Sequence, residues 1–589
     1  MKFLVATIGM LGAVLAAYGK IPEQDSRNTD IPHTNTHFRA RSYTSLDEWQ
    51  QRAARLRKQV LSAAGLLPLP ERNPLRYEIF GRIENKDYSI EKVFIETMPG
   101  YYLAGNLFRP LGRTGKFPGI LAPHGHATYG RLENGPLFSV QARGINKARQ
   151  GYVVFAYDMV GYNDTIQTPH VFGGEREQLW SFGPLGLQTW NSIRALDFLQ
   201  SLPDVNPNEI GVTGESGGGT QTFLICAVDD RIKYSAPVNM ISLIMQGGSP
   251  CENAPNLRVA TNNVEIASLM APKPMLMVSA TGDWTKNTPT EEYPAVKAIY
   301  SLYGKPENVD TIQIDAPHNY NKPSREAVYR FFAKHILHDS NWASYSEKAF
   351  RAEKLQDLMV FHARPLPDNA LKYEQIAAQW IERAQKQNAS ITDRSAMRER
   401  LMYSLMAEQP QAVEHEISGE HIVLGRQGKG DRVPGIWIPG GKQALLVVHP
   451  EGAAAGRNSK QASDAISKKQ SVLLIDAFQT GSAAAPRDRS TRYFLTFNKS
   501  DDANRVQDIL TALAFLKSQG ASGIRLAGIG KAAVWATFAA ALTDAAVTLD
   551  ADLGSFQGSD EDFIKNFFVP GIQRAGGLKA ALALAGTSR

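Results

Sequence analysis

Residues 210–223 constrain this chain more than any other stretch. A short apolar strand, Ile210-Gly-Val-Thr213, runs into Gly214-Glu-Ser-Gly-Gly218 and then directly into an apolar helical run that begins at Thr220. A strand that turns into a helix within five residues needs glycines to give the backbone room, and the serine at its apex has to accept a strained conformation. Such a turn belongs at the carboxyl edge of an open α/β sheet, where the serine stands above the strands beside a helix N-terminus. The surrounding segments keep the same rhythm. Apolar strands at 118–123, 152–157, 274–280 and 309–314 alternate with helical stretches at 138–150, 189–202, 294–303 and 324–337. Continuous apolar strands with helices between them predict an α/β fold with a mostly parallel sheet and helices on both faces. Ahead of them, 45–65 reads as a helix, and 88–97 and 101–108 as a hairpin turned at Pro99-Gly100.

The chain has 589 residues, too many for one compact core. Its C-terminal part repeats the first part in miniature. Pro118-Gly-Ile-Leu-Ala-Pro-His124 finds a counterpart in Ala444-Leu-Leu-Val-Val-His449, and Tyr152-Val-Val-Phe-Ala-Tyr-Asp158 in Ser471-Val-Leu-Leu-Ile-Asp476. Arg194-Ala-Leu-Asp-Phe-Leu-Gln-Ser201 pairs with Thr511-Ala-Leu-Ala-Phe-Leu-Lys-Ser518, and Ile210-Gly-Val-Thr-Gly-Glu-Ser216 with Ile524-Arg-Leu-Ala-Gly-Ile-Gly530. Four segments recurring in one order indicate duplication of a fold, with Gly530 where the first copy has Ser216. The second copy ends soon after an apolar run at 580–585, read as a strand, and has no acid or base to follow it. The expected organisation is therefore an export signal over 1–19, a catalytic domain over 20–340, a helical connector over 341–412 (with helices at 346–359 and 373–387) and a degenerate, non-catalytic domain over 413–589.

The signal reading rests on a basic start, Met1-Lys2, an apolar run from Phe3 to Ala17 and small residues at Ala17 and Gly19. That run is shorter than the ~20 residues a bilayer core requires, so it predicts export and not a stable membrane insertion. Two cysteines, Cys226 and Cys251, leave two readings open, a disulfide in an exported protein or buried thiols. The net charge of +6 is mild at this length, and no basic block with interleaved aromatics marks a nucleic-acid partner.

Ser216 needs a base and an orienting acid after later strands, in the order serine, acid, histidine. Asp283, in Gly282-Asp283-Trp284, follows the strand at 274–280, and His318, in Pro317-His318-Asn319, follows the strand at 309–314. A neutral imidazole takes the serine proton, and the carboxylate fixes its tautomer and stabilises the imidazolium. Asp315 is the competing acid, but it stands at the end of a strand only three residues from the histidine. An oxyanion hole needs two backbone amides, for which Gly217 and His126 are the candidates. His126 belongs to Pro123-His-Gly-His126, whose two histidines could instead hold a metal. No carboxylate or third histidine stands near them in sequence, so no metal is expected. Insertions at 162–188 and 240–263 are expected to shape the substrate site, with Trp180, Trp284, Glu215 and Arg258 as candidate substrate-binding residues.

Three segments carry a family resemblance: Gly214-Glu-Ser-Gly-Gly-Gly-Thr-Gln-Thr-Phe223, Ser279-Ala-Thr-Gly-Asp-Trp-Thr285 and Pro317-His-Asn-Tyr320. Through them, residues up to 340 resemble the acetylxylan-esterase-like and dienelactone-hydrolase-like branch of the α/β-hydrolases, and within it large exported bacterial esterases of polysaccharide degradation. The resemblance implies a carbohydrate esterase that cleaves acyl or methyl esters on a polysaccharide or oligosaccharide, without a cofactor, in a secreted or periplasmic setting. It leaves open pectin methyl esters, xylan acetyl groups and feruloyl esters. A serine peptidase of the prolyl-oligopeptidase kind shares the catalytic fold, but the short region before the third strand has no propeller repeats. A binding protein without chemistry is the remaining alternative.

Overall fold

The computed structural model describes residues 21–586, so the expected signal segment at 1–19 lies outside the described residues. The chain divides into two compact units. The larger comprises Ile31–Ala407, Asp488–Asn504 and Ser555–Arg589, and the smaller takes 408–487 and 505–554 together with the N-terminal residues up to Asp30. Residues 341–407, expected as a connector, thus belong to the larger unit, as do two pieces of the expected C-terminal domain.

The larger unit is built on nine strands: β1 (Tyr77–Glu84), β2 (Tyr88–Met98), β3 (Tyr101–Pro110), β4 (Phe117–Leu121), β5 (Val153–Tyr157), β6 (Val205–Glu215), β7 (Tyr234–Val238), β8 (Met275–Gly282) and β9 (Val309–Pro317). They line up as β1-β2-β3-β5-β4-β6-β7-β8-β9. Pairing is antiparallel from β1 through β5 and parallel from β5 to β9. Alternation along one strand shows how both faces become core. Val153, Phe155 and Tyr157 pack with Leu196, Phe198 and Trp190 of the helix Pro184–Ser201. Val154 and Ala156 point the other way, toward Val140 and Ile145 of the helix Val140–Gln150 and Phe332 of the helix Lys322–His335. A period of two delivers successive side chains to opposite cores, so a strand buried on both sides must be apolar throughout.

Three local expectations change. The stretch 346–359 is helical only over Leu355–Leu358. Its backbone is taken up by the polar side of the helix Val140–Gln150: the Lys348 amide donates to Asn146 Oδ1 at 2.8 Å, and the Glu353 amide to Gln141 Oε1 at 2.8 Å. Those side-chain partners substitute for the intrahelical bonds the segment would otherwise need. The run at 580–585 is part of a helix, Gly577–Ala585, and not a strand; alanine and leucine are strong helix formers, and apolar runs of this length carry no period to separate the two states. Strand β7, unmarked in the sequence reading, is five residues with a serine and a proline; it pairs with β6 and β8 and buries Ala236 and Val238 in the core.

The smaller unit carries seven strands: β10 (Val413–Ser418), β11 (His421–Arg426), β12 (Val433–Ile438), β13 (Gly441–Val448), β14 (Gln470–Ile475), β15 (Gly523–Gly528) and β16 (Val547–Ala551). Their order is β10-β11-β12-β14-β13-β15-β16. Position by position this is the order of β1 to β7, so the sequence echo is an echo of topology. Gly530 has φ +54°, and Ser216 at the equivalent turn has φ +55°. The second sheet keeps the turn, and among the described residues it stops before any strand equivalent to β8 or β9.

Candidate active site

Ser216 sits between β6 and the helix Gly217–Val228 with φ 55° and ψ −122°. That left-handed backbone is costly for a residue with a Cβ and persists only where its surroundings enforce it. Here the enforcing contacts are close. A Cβ on Gly214 would lie 2.4 Å from the Pro123 carbonyl, and one on Gly218 would lie 2.7 Å from the same oxygen. The elbow is thus pressed against the loop that follows β4, and only glycine fits at either side of the serine-bearing turn.

That loop is fixed from below by a buried ion pair. Arg143 and Glu215 pair with side chains 1% and 2% exposed. The other guanidinium arm donates to the Pro123 carbonyl at 2.9 Å, and the Gly125 amide donates to Glu215 Oε1 at 3.0 Å. One carboxylate therefore binds both the helix Val140–Gln150 and the loop 123–126 to the nucleophile elbow. His124, fully buried, accepts the Met159 amide on Nε2 at 2.9 Å and donates Nδ1–H to the Gly125 carbonyl at 2.7 Å. Burial lowers its pKa to about 3, so it stays neutral.

Asp283 and His318 come together as the sequence anticipates. Nδ1 of His318 donates to Asp283 Oδ2 at 2.7 Å, and the carboxylate is 2% exposed. The other oxygen of Asp283 accepts the Thr285 amide at 2.7 Å and its hydroxyl at 2.5 Å, which locks the carboxylate plane. An acceptor-only carboxylate on Nδ1 fixes the tautomer, and Nε2 is left with its lone pair. That Nε2 is buried and has no hydrogen-bond partner. Ser216 and His318 stand on the carboxyl ends of β6 and β9, and the two segments are tied by a 2.7 Å bond between Thr213 Oγ1 and Tyr320 Oη. Asp315, the competing acid, is exposed and bonded to Thr281 Oγ1 at 2.7 Å.

The candidate substrate contacts divide. Trp284 lies against the His318 ring, centroid to centroid 4.3 Å, with Phe138 at 6.0 Å. Glu215 does not meet the expectation of a substrate contact, since its carboxylate is consumed inside the protein as described. Arg258 is likewise corrected: it is buried, with its guanidinium on Asn263 Oδ1 at 2.8 Å, the Glu252 carbonyl at 2.8 Å and Asn253 Oδ1 at 3.1 Å. Trp180 is 4% exposed and donates its indole N–H to Asp560 Oδ1 at 3.0 Å, so it packs the insertion instead of presenting a ring. Cys226 and Cys251 are both free and buried, which closes the disulfide reading. Sequence reasoning also gave no role to Thr285, Arg143 and Phe138; Thr285 closes the segment around Asp283, but Arg143 and Phe138 belong to no motif that spacing alone reveals.

Sheet order, strained serine and carboxylate-oriented imidazole define an α/β-hydrolase. No family model matches the chain. It is 27% identical over 302 residues to "Putative hydrolase YtaP" of Bacillus subtilis (strain 168), covering 48% of this chain and 99% of that protein. Among solved structures, "Methylesterase BT1017" aligns at 30% identity and TM-score 0.50, over 59% of this chain and 78% of that one. A glucuronoyl esterase from Solibacter usitatus aligns at 16% identity and TM-score 0.40, over 51% of this chain and 98% of that one. The chain belongs to the α/β-hydrolase esterases, of the carbohydrate-esterase type.

Proposed function

We propose that the protein is an exported serine esterase that hydrolyses ester groups on polysaccharides, with Ser216 as nucleophile, His318 as general base and Asp283 as its orienting acid. The observation that carries this reading is the His318 ring, bonded to buried Asp283 through Nδ1 while its buried Nε2 has no partner. A lone pair held there is a base awaiting a proton. Ser216 Oγ attacks the ester carbonyl carbon as Nε2 takes its proton, and the imidazolium then returns that proton to the departing alcohol oxygen. Water, deprotonated by the same Nε2, cleaves the acyl-enzyme and regenerates the serine. The oxyanion is held by the Gly217 amide, at the first turn of its helix where no intrahelical acceptor exists, and by the His126 amide. The Gly125 amide is committed to Glu215, which leaves the amide of the next residue as the candidate donor.

Between the ester classes, the 30% identity to a protein named a methylesterase favours a methyl ester of a uronic acid over an acetyl group. In that case methanol leaves and the sugar carboxyl is carried on Ser216. Among the described residues no helix is long and apolar enough to cross a membrane, and the apolar segment at 3–17 supports export. The test is product analysis on methylated pectin, acetylated xylan and a proline-containing peptide side by side. The reading expects methanol from the first at the highest kcat/KM; acetate release alone would move the assignment to an acetyl esterase, and peptide cleavage alone would remove the esterase.

A further inference from the structure

Beyond the ester chemistry, the geometry points to a metal site beside it, formed by His126, His170 and Cys251 and suited to a zinc-class divalent ion. The three residues come from three separate loops: the segment after β4, the part of the 162–188 insertion that precedes the helix Pro184–Ser201, and the single turn Pro250–Glu252. Nε2 of His126 stands 3.2 Å from Nε2 of His170 and 3.2 Å from Cys251 Sγ, and the three ligand atoms all lie within 4.8 Å of one another. Zinc bonds of ~2.0–2.1 Å to nitrogen and ~2.3 Å to sulfur at tetrahedral angles separate such atoms by roughly 3.4–3.6 Å. The two sides that meet at His126 are therefore within a few tenths of an ångström of those separations, and the third, between His170 and Cys251, is within 4.8 Å.

The second coordination layer is already in place. Nδ1–H of His170 donates to the Val160 carbonyl at 2.7 Å, which leaves Nε2 as a lone pair directed at the cluster. Ser249 Oγ lies 3.0 Å from that Nε2 and 3.7 Å from Cys251 Sγ, near the fourth corner that three protein ligands leave open. An ion bound here takes Cys251 as the thiolate, and the thiol proton goes to solvent. The cluster also neighbours the elbow, since a Cβ on Gly217 would meet His126 Cε1 at 2.6 Å. In sequence only His124 stands close to His126, and it is turned away onto Met159; the partners that His126 does meet lie 44 and 125 residues further along the chain.

The test uses the full chain, equilibrated with zinc sulfate, desalted and analysed by plasma mass spectrometry. About one zinc per chain is expected in the wild type, falling about tenfold in Cys251→Ser and in His170→Ala and unchanged in Cys226→Ser. Cobalt(II) in place of zinc should show a thiolate-to-metal charge-transfer band, retained in Cys226→Ser and lost in Cys251→Ser. Zinc at background in the wild type, a cobalt spectrum without that band, or a band that survives in Cys251→Ser overturns the site. If Cys251→Ser does not fold, the spectra of the wild type and Cys226→Ser decide the matter between them.

Discussion

The buried Arg143–Glu215 pair permits a sharp prediction, because it bears on stability and on catalysis through different atoms. Glu215→Gln keeps the shape of the side chain and removes its charge. Arg143 is then left in a pocket where its side chain is 1% exposed, with the Pro123 carbonyl at 2.9 Å and the Tyr320 ring at 5.2 Å as its remaining partners. Breaking a buried pair in this way costs about 3–5 kcal/mol, and the two surviving contacts argue for the lower end. At 1.4 kcal/mol per factor of ten, a loss of about 3 kcal/mol is roughly a hundredfold in the folding equilibrium. The Gly125 amide loses its anionic acceptor, and the loop bearing the His126 amide loosens. Loss of a whole oxyanion donor costs about 10²–10³ in kcat, so a displaced one should cost about 10–100-fold. KM should hardly move, because Glu215 has no free face. Urea unfolding and steady-state kinetics on a chromogenic ester measure both effects. The double variant Arg143→Met/Glu215→Leu should be more stable than Glu215→Gln, since no uncompensated charge is left. A Glu215→Gln protein within 1 kcal/mol of wild type, or one altered only in KM, would refute the positioning role.

Asp283→Asn should retain the fold and lose about 10⁴ in kcat, because an amide on Nδ1 favours the wrong imidazole tautomer; a loss under tenfold would transfer the acid's role elsewhere. Stability should also depend on His124. Its folded pKa of about 3 lies below the usual ~6.5 of the unfolded chain, so its contribution is complete above pH 6.5 and is lost as pH falls toward 3. Between pH 7 and pH 5 that loss is about 2 kcal/mol. The stability gap between wild type and His124→Asn in urea should shrink by that amount over the same interval, and a gap independent of pH would contradict it. Trp180→Phe should leave KM unchanged and cost about 1 kcal/mol for the indole bond to Asp560; a raised KM would return Trp180 to the substrate site.

Much of this site was legible because its chemistry is local in sequence. The strand-turn-helix of 210–223 announces a strained serine, and Asp283 and His318 each follow a strand by a residue or two. The four echoed segments likewise foretold a second sheet of the same kind. What escaped depends on contacts the chain makes only after folding. Glu215 and Arg258 are charged residues beside the motif, and a charge near a motif suggests ligand contact until a buried partner is found for it. Trp180 on a long insertion suggests a sugar platform, but its indole is satisfied by Asp560, hundreds of residues later. The segment 346–359 has helical composition, yet side chains of another helix supply its hydrogen bonds. The grouping of His170 and Cys251 around His126 is of the same kind, three loops with no shared period.

The central claim is a proton passing from the hydroxyl of residue 216 to the imidazole of residue 318. Its most direct measurement is labelling with a fluorophosphonate followed by peptide mass spectrometry, alongside ester turnover by Ser216→Ala. The account predicts one adduct, on Ser216, formed at a rate that falls with Asp283→Asn, and a loss of several powers of ten in kcat for Ser216→Ala. An adduct on another residue, or undiminished turnover by Ser216→Ala, would contradict it.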